Sequence, residues 1–138
     1  MQLTKNFNLK EFICHDGSVP NEEQTHNIKE LCENVLQPLR EAYGAIEIMS
    51  GYRSPAYNKQ VGGATNSKHT TGEAADIKCD KLDEAFAWII RKCSYDQIIL
   101  EKKDDGSKWI HVSYRKEANR TQAMYAMIEK GKAVYRRV

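Results

Sequence analysis

Two segments hold side chains whose types and spacing could do chemistry: Ser67-Lys68-His69-Thr70-Thr71-Gly72-Glu73-Ala74-Ala75-Asp76-Ile77 and Trp109-Ile110-His111-Val112-Ser113-Tyr114. Two imidazoles and one carboxylate, from His69, Asp76 and His111, suit a catalytic zinc ion, because three protein ligands leave the fourth tetrahedral position open. Gly72 permits a sharp turn between His69 and Asp76, so both side chains can converge on one ion. On an extended segment Trp109, His111 and Ser113 share one face and Ile110, Val112 and Tyr114 the other, so the histidine can face a cleft while its neighbours fill a core. Spacing alone is weak evidence. From His69 and Asp76 by themselves, a surface or capping histidine beside a strand aspartate is the commoner reading.

These residues need elements to hold them. Ala74 to Cys79 reads as a strand, and Asp96 to Glu101 and Lys108 to Tyr114 as two more, joined through the polar turn Lys102-Lys103-Asp104-Asp105-Gly106-Ser107 as an antiparallel hairpin. Ile46 to Ser50 alternates as a strand and runs into Ser50-Gly51-Tyr52-Arg53, after which Ser54-Pro55 has the signature of a helix start reaching Val61. Upstream, Ile28, Leu31, Val35, Leu39 and Ala42 recur at helical spacing between Asn21 and Tyr43, with Pro38 expected to bend or split the helix and Gly44 to end it. Asp80 is expected to cap a further helix to Lys92, the tail to add a short helix around Thr121 to Glu129, and Ala133 to Arg137 to form a last strand. Phe7, Leu9, Phe12 and Ile13 form an apolar lead-in that packs onto the domain. The order of helices and antiparallel strands indicates an α+β fold.

Ser50-Gly51-Tyr52-Arg53-Ser54-Pro55, Asn58, Val61-Gly62-Gly63-Ala64, Ser67-x-His69-x-x-Gly72-x-Ala74-x-Asp76 and Trp109-x-His111 together resemble the zinc D-alanyl-D-alanine carboxypeptidase family. The resemblance runs from Asn6-Phe7-x-Leu9-x-Glu11-Phe12 to the segment after Tyr114 and is strongest between Ser50 and Ile77. It implies a small antiparallel sheet carrying a zinc site and flanked by helices, similar in architecture to the amino-terminal signalling domain of hedgehog proteins. It further implies hydrolysis of bonds next to D-alanine, or of other cross-bridge bonds in peptidoglycan, as in chromosomal enzymes and phage lysins. Carried over residue by residue, the resemblance makes His69, Asp76 and His111 the ligands of one Zn2+ per chain. It makes Arg53 the group that binds substrate carboxylate or polarises the scissile carbonyl, a task that suits a guanidinium fork. A plain surface arginine beside a helix cap is the alternative for Arg53. Ser67 either orients its loop or touches substrate, and Trp109 either lines the cleft or belongs to the core.

Better-known members of the wider family place an acidic residue or a histidine three positions before the last ligand, where this chain has Lys108. A lysine of ordinary pKa cannot accept a proton at neutral pH. The substitute is Glu101: if Trp109 lies opposite Glu101 and His111 opposite Ile99, Glu101 and His111 point to the same face, close enough to share a water. His15 and His26 read as non-ligands. Two functions follow as expectations. One is a hydrolase of peptidoglycan peptides with Glu101 and Arg53 as catalytic groups and Arg53, Ser67 and Trp109 against the substrate. The other is a catalytically inactive, zinc-stabilised module that binds the cell wall or builds a phage particle.

Composition narrows the rest. The 138 residues suit one domain, 1–138, with a single core. A net charge of +2, with no interleaving of aromatic and basic residues, argues against a dedicated nucleic-acid binder. The basic tail residues Arg115, Lys116, Arg120, Lys130, Lys132, Arg136 and Arg137 read as a solvated face. No signal peptide or membrane-spanning run is legible, so a cytosolic, membrane-free product acting as a monomer is expected, reaching the wall after release or meeting wall precursors and fragments. Four dispersed cysteines, Cys14, Cys32, Cys79 and Cys93, read as buried thiols.

Overall fold

A computed structural model describes residues 1–138 as an α+β arrangement built on one six-stranded sheet. The strands are β1 (Gln2–Thr4) and β2 (Phe7–Asn8), which form a separate two-stranded ribbon, then β3 (Ile46–Ser50), β4 (Ala74–Cys79), β5 (Gln97–Lys103), β6 (Lys108–Ser113), β7 (Gln122–Glu129) and β8 (Lys132–Arg137), in the spatial order β3-β4-β6-β5-β7-β8. The helices are α1 (Glu22–Leu31), α2 (Gln37–Tyr43), α3 (Pro55–Gln60) and α4 (Leu82–Lys92). None is long and apolar enough to cross a membrane.

Alternation divides the central strands between two environments. Ala75 and Ile77 of β4, Ile98 of β5, and Ile110 and Val112 of β6 are fully buried in a core with Ile28, Leu31, Val35, Leu36 and Leu39 of the α1–α2 stretch and Phe86 and Ile89 of α4. The residues between them, Asp76, Ile99, Glu101 and His111, point to the other face. Phe7 and Phe12 of the lead-in are buried in the same core, their rings tilted against each other.

Helix boundaries follow local chemistry. Asn21 caps α1 reciprocally with Gln24, and Gly44, at φ 84°, ends α2. Pro38 splits the helix between them, as expected: the turn from Cys32 to Leu36 widens to π geometry, with the Gln37 amide donating to the Cys32 carbonyl, and α2 resumes with the proline in its first turn. Ser54 caps α3, its Oγ accepting from the amide of Tyr57. Asp80 does not cap α4. That position belongs to Lys81 in a left-handed conformation, with no side-chain cap.

Two further expectations are overturned. The segment expected as a helix around Thr121 to Glu129 is a strand from Gln122 to Glu129, although Gln, Ala, Met and Glu favour helices. Pairing along the whole length of β5 from Gln97 to Lys103 satisfies its backbone, and Ala126 becomes buried. This pairing is parallel, so the sheet is mixed rather than antiparallel throughout. The tail is also not wholly a solvated face. Asp96, with no exposed surface, accepts from the Arg120 amide and Nε at 2.9 Å, from Arg120 Nη2 at 2.8 Å and from the Ser113 hydroxyl at 3.1 Å. Cys14 and Cys32 are buried, Cys79 and Cys93 partly so, and all four are free thiols.

Candidate metal centre

His69 sits on a single 3-10 turn, Lys68–Thr71, capped by Ser67, whose hydroxyl accepts from the His69 amide at 3.2 Å. The turn is strapped to the Gly51–Arg53 segment at two points: the Arg53 amide donates to the His69 carbonyl at 3.0 Å, and His69 Nδ1 donates to the Gly51 carbonyl at 2.8 Å. The second contact commits the Nδ1 proton, leaves the lone pair on Nε2 and holds the ring in place. Gly51 has to be glycine because a Cβ there would stand 2.7 Å from the Cα of Phe12. Gly72 closes the turn at φ 78° with the Gln24 carbonyl so near that an added Cβ would lie 2.5 Å from its oxygen. The chain then enters β4, where Asp76 pairs with His111 of β6.

The three side chains converge. Asp76 Oδ1 lies 3.3 Å from His69 Nε2 and 3.1 Å from His111 Nδ1, and one donor atom from each residue falls within 4.8 Å of the others. Two atoms bound at zinc distances to one tetrahedral ion stand roughly 3.3 Å apart, so the set fits a single divalent metal. The second carboxylate oxygen, Oδ2, is 3.3 Å from Arg53 Nη2. Arg53 is held in turn by Ser50 Oγ at 3.1 Å and Asn58 Oδ1 at 3.3 Å, and its side chain is only 17% exposed. It is therefore built into the site and is not a plain surface arginine. Three of its five N–H groups are engaged, which leaves two for a ligand.

The electrostatics match a cation site. Burial pushes the Asp76 carboxyl upward, but hydrogen bonds and charge from His111 and His69 outweigh it and hold the group far below the carboxylate range. Burial lowers His69, leaving it neutral and ready to ligate. For His111 burial acts in the same sense, yet Asp76 and Glu101 prevail and raise it. Protons therefore compete with a metal at His111 more than at His69.

The hairpin register is the one expected: Glu101 lies opposite Trp109, and His111 opposite Ile99, so Glu101 and His111 are diagonal neighbours on the cleft face. Trp109 Nε1 donates to Glu101 Oε2 at 3.0 Å. Burial raises the glutamate's pKa, with Asp76 adding to it and His111, Trp109 and Arg53 opposing. Lys108, an odd number of residues from His111, faces away and bonds to Asp83 Oδ1 of α4 at 2.9 Å. His15 and His26 lie outside the cluster, beside Tyr57 and Glu30 respectively.

Arg53, Ser67, Glu101 and Trp109 line, together with His69, Asp76 and His111, a cleft of about 530 Å³. Three of its lining residues, Arg120, Ile128 and Tyr135, carried no site signal in the sequence, since all lie in the tail. Asn58 did stand in a motif, and its role is to hold Arg53 and, through Nδ2, the Ala64 carbonyl at 2.9 Å. On the opposite sheet face a hollow of about 370 Å³ among Leu100, Tyr125, Met127 and Val134 brings together no metal-ligating group.

Compared with known proteins, residues 5–113 match the sequence model of the family described as Peptidase M15, and residues 114–138 lie outside the match. No curated protein matches the chain.

Proposed function

Since the chain belongs to the peptidase M15 family, whose members are zinc-dependent peptidases acting on peptidoglycan, we propose that it hydrolyses D-alanine-containing wall peptides, as a D,D-carboxypeptidase or cross-bridge endopeptidase. The observation that carries this reading is the convergence of His69, Asp76 and His111 beside a half-buried carboxylate, Glu101, on one cleft face.

His69, Asp76 and His111 would hold one zinc ion, which when bound supplies Lewis acidity, polarising a scissile carbonyl and acidifying water. Glu101 is the proton carrier: its carboxylate takes a proton from the attacking water and returns it to the departing amine. Trp109 fixes one oxygen of that carboxylate, and the other accepts no hydrogen bond from the protein. Burial keeps the group a stronger base than an exposed glutamate. Arg53 steadies Asp76 and offers its remaining N–H groups to a substrate carboxylate or carbonyl oxygen. Ser67 acts on substrate through the turn that it caps and its place on the cleft wall. The site needs peptide substrate and metal, with no membrane or nucleic acid, and works within one chain.

The test is release of D-alanine or new amino groups from purified peptidoglycan and from an acyl-D-alanyl-D-alanine peptide, with zinc and with chelator. Metal-dependent release is expected, and Glu101→Gln should lose at least about 100-fold in turnover while still binding one zinc per chain. No release by the zinc-loaded parent from either substrate would replace this reading with that of an inactive wall-binding or phage structural module.

A further inference from the structure

The tail outside the family match supplies part of the cleft. Along the cleft face the sheet register sets Trp109 opposite Glu101, Glu101 beside Ala126 of β7, and Ala126 opposite Tyr135 of β8, forming one row across four strands. Ala126 contributes only a methyl group between the carboxylate and the tyrosine, a residue that is 54% exposed and lines the cleft. Ile128 lies two residues along β7 on the same face and lines it too.

This wall is anchored at both ends. At the start of β7 the Arg120–Asp96 pair and the Gln122 amide on the Asp96 carbonyl at 3.0 Å tie it to β5; at the far end the Asp104 amide donates to the Ile128 carbonyl at 3.0 Å. β8 is laid along this fixed strand by antiparallel pairing from Lys132 to Arg137, so the exposed ring of Tyr135 is a preformed contact surface that loses little entropy on binding.

We propose that Tyr135 is a specificity-determining residue that takes the acyl-side residues of an extended peptide stem, three or more positions before the scissile bond. This inference rests on the peptidase reading above. Arg53 stands beside Asp76 on the β4 side of the cleft and Tyr135 at the β8 edge, so a peptide whose terminal carboxylate meets Arg53 runs over Glu101 towards Tyr135. Two strand spacings separate Glu101 from Tyr135, roughly 10 Å. Extended peptide covers that span in about three residues. A dipeptide capped by a small acyl group ends short of the ring, whereas a pentapeptide stem crosses it.

The experiment compares kcat and KM of the zinc-loaded parent, Tyr135→Ala, Tyr135→Lys and Tyr135→Phe on acetyl-D-alanyl-D-alanine and on a stem pentapeptide ending in D-alanyl-D-alanine. For the alanine and lysine variants the ratio of kcat/KM, pentapeptide over dipeptide, should fall about five-fold, carried by KM, while phenylalanine keeps the parental ratio. Thermal unfolding identifies variants that have lost their fold, and the lysine variant, suited to an exposed edge strand, stands in if alanine does. An unchanged ratio in a folded Tyr135→Ala or Tyr135→Lys protein overturns the inference. A zinc-loaded parent that cleaves neither peptide overturns the peptidase reading, and this inference with it.

Discussion

Gly72→Ala should damage both the fold and the metal centre, and Gly62→Ala separates the two reasons. Both glycines have left-handed backbone angles, φ 78° at Gly72 and φ 76° at Gly62. A Cβ in that conformation costs roughly 1–2 kcal/mol wherever it stands. At Gly62 it would meet nothing within 4 Å, so strain is the whole cost. At Gly72 it would lie 2.5 Å from the Gln24 carbonyl oxygen, several tenths of an ångström inside contact. Gln24 cannot easily yield, because it completes the reciprocal cap of α1 and its Nε2 donates to the Thr70 carbonyl at 3.2 Å. Overpacking of that kind adds about 1–3 kcal/mol. Gly72→Ala should therefore lose about 3 kcal/mol against about 1 for Gly62→Ala, read as unfolding free energies in denaturant. The strain that does not unfold the chain falls on the turn bearing His69. Calorimetric titration should then show zinc bound at least about ten-fold more weakly than by the parent or by Gly62→Ala. Equal stability and equal zinc affinity in the two variants would refute the claim that close packing of α1 on this turn sets the ligand geometry.

Trp109→Phe removes the N–H that favours the charged form of Glu101, so its pKa should rise further and the acid limb of kcat/KM against pH should move up by about one unit. An unmoved limb would assign it to another group. Arg120→Met leaves the buried Asp96 with only the Ser113 hydroxyl and the backbone amide of residue 120 as donors and no opposite charge, at a cost of about 2 kcal/mol near neutral pH, reduced from the fully buried case because the arginine is 42% exposed. In the parent, Arg120 holds the Asp96 pKa below its usual value against the pull of burial. The pair's contribution is thus present above the unfolded pKa of about 3.9 and lost as pH falls through the lower folded value. Without Arg120 burial raises that pKa, so the deficit of the variant, followed by denaturant melts, should narrow as pH approaches 4. Chelation should abolish turnover yet leave the far-ultraviolet circular dichroism intact, since none of the three ligands belongs to the 20-residue apolar core. Loss of the fold with the metal would make the ion structural.

The amino acid order by itself determined whatever a few neighbouring residues can enforce. The caps at Asn21 and Ser54, the stop at Gly44, the alternation that turns His111 and Trp109 to one face and the β5–β6 register follow from backbone sterics, side-chain hydrogen bonds and a short turn. The same information, with the motif resemblance, brought His69, Asp76, His111 and Glu101 forward as candidates. The tertiary structure decided what depends on distant segments meeting. Residues 122–129, helix-leaning in composition, became a strand because β5 offered an unpaired edge, and Arg120 became the partner of a buried carboxylate because Asp96 lay beneath it. Tyr135 entered the cleft only through two successive pairings, β5 with β7 and β7 with β8. Such contacts cost loop closure before they repay it in hydrogen bonds and burial, and no local residue pattern records that balance.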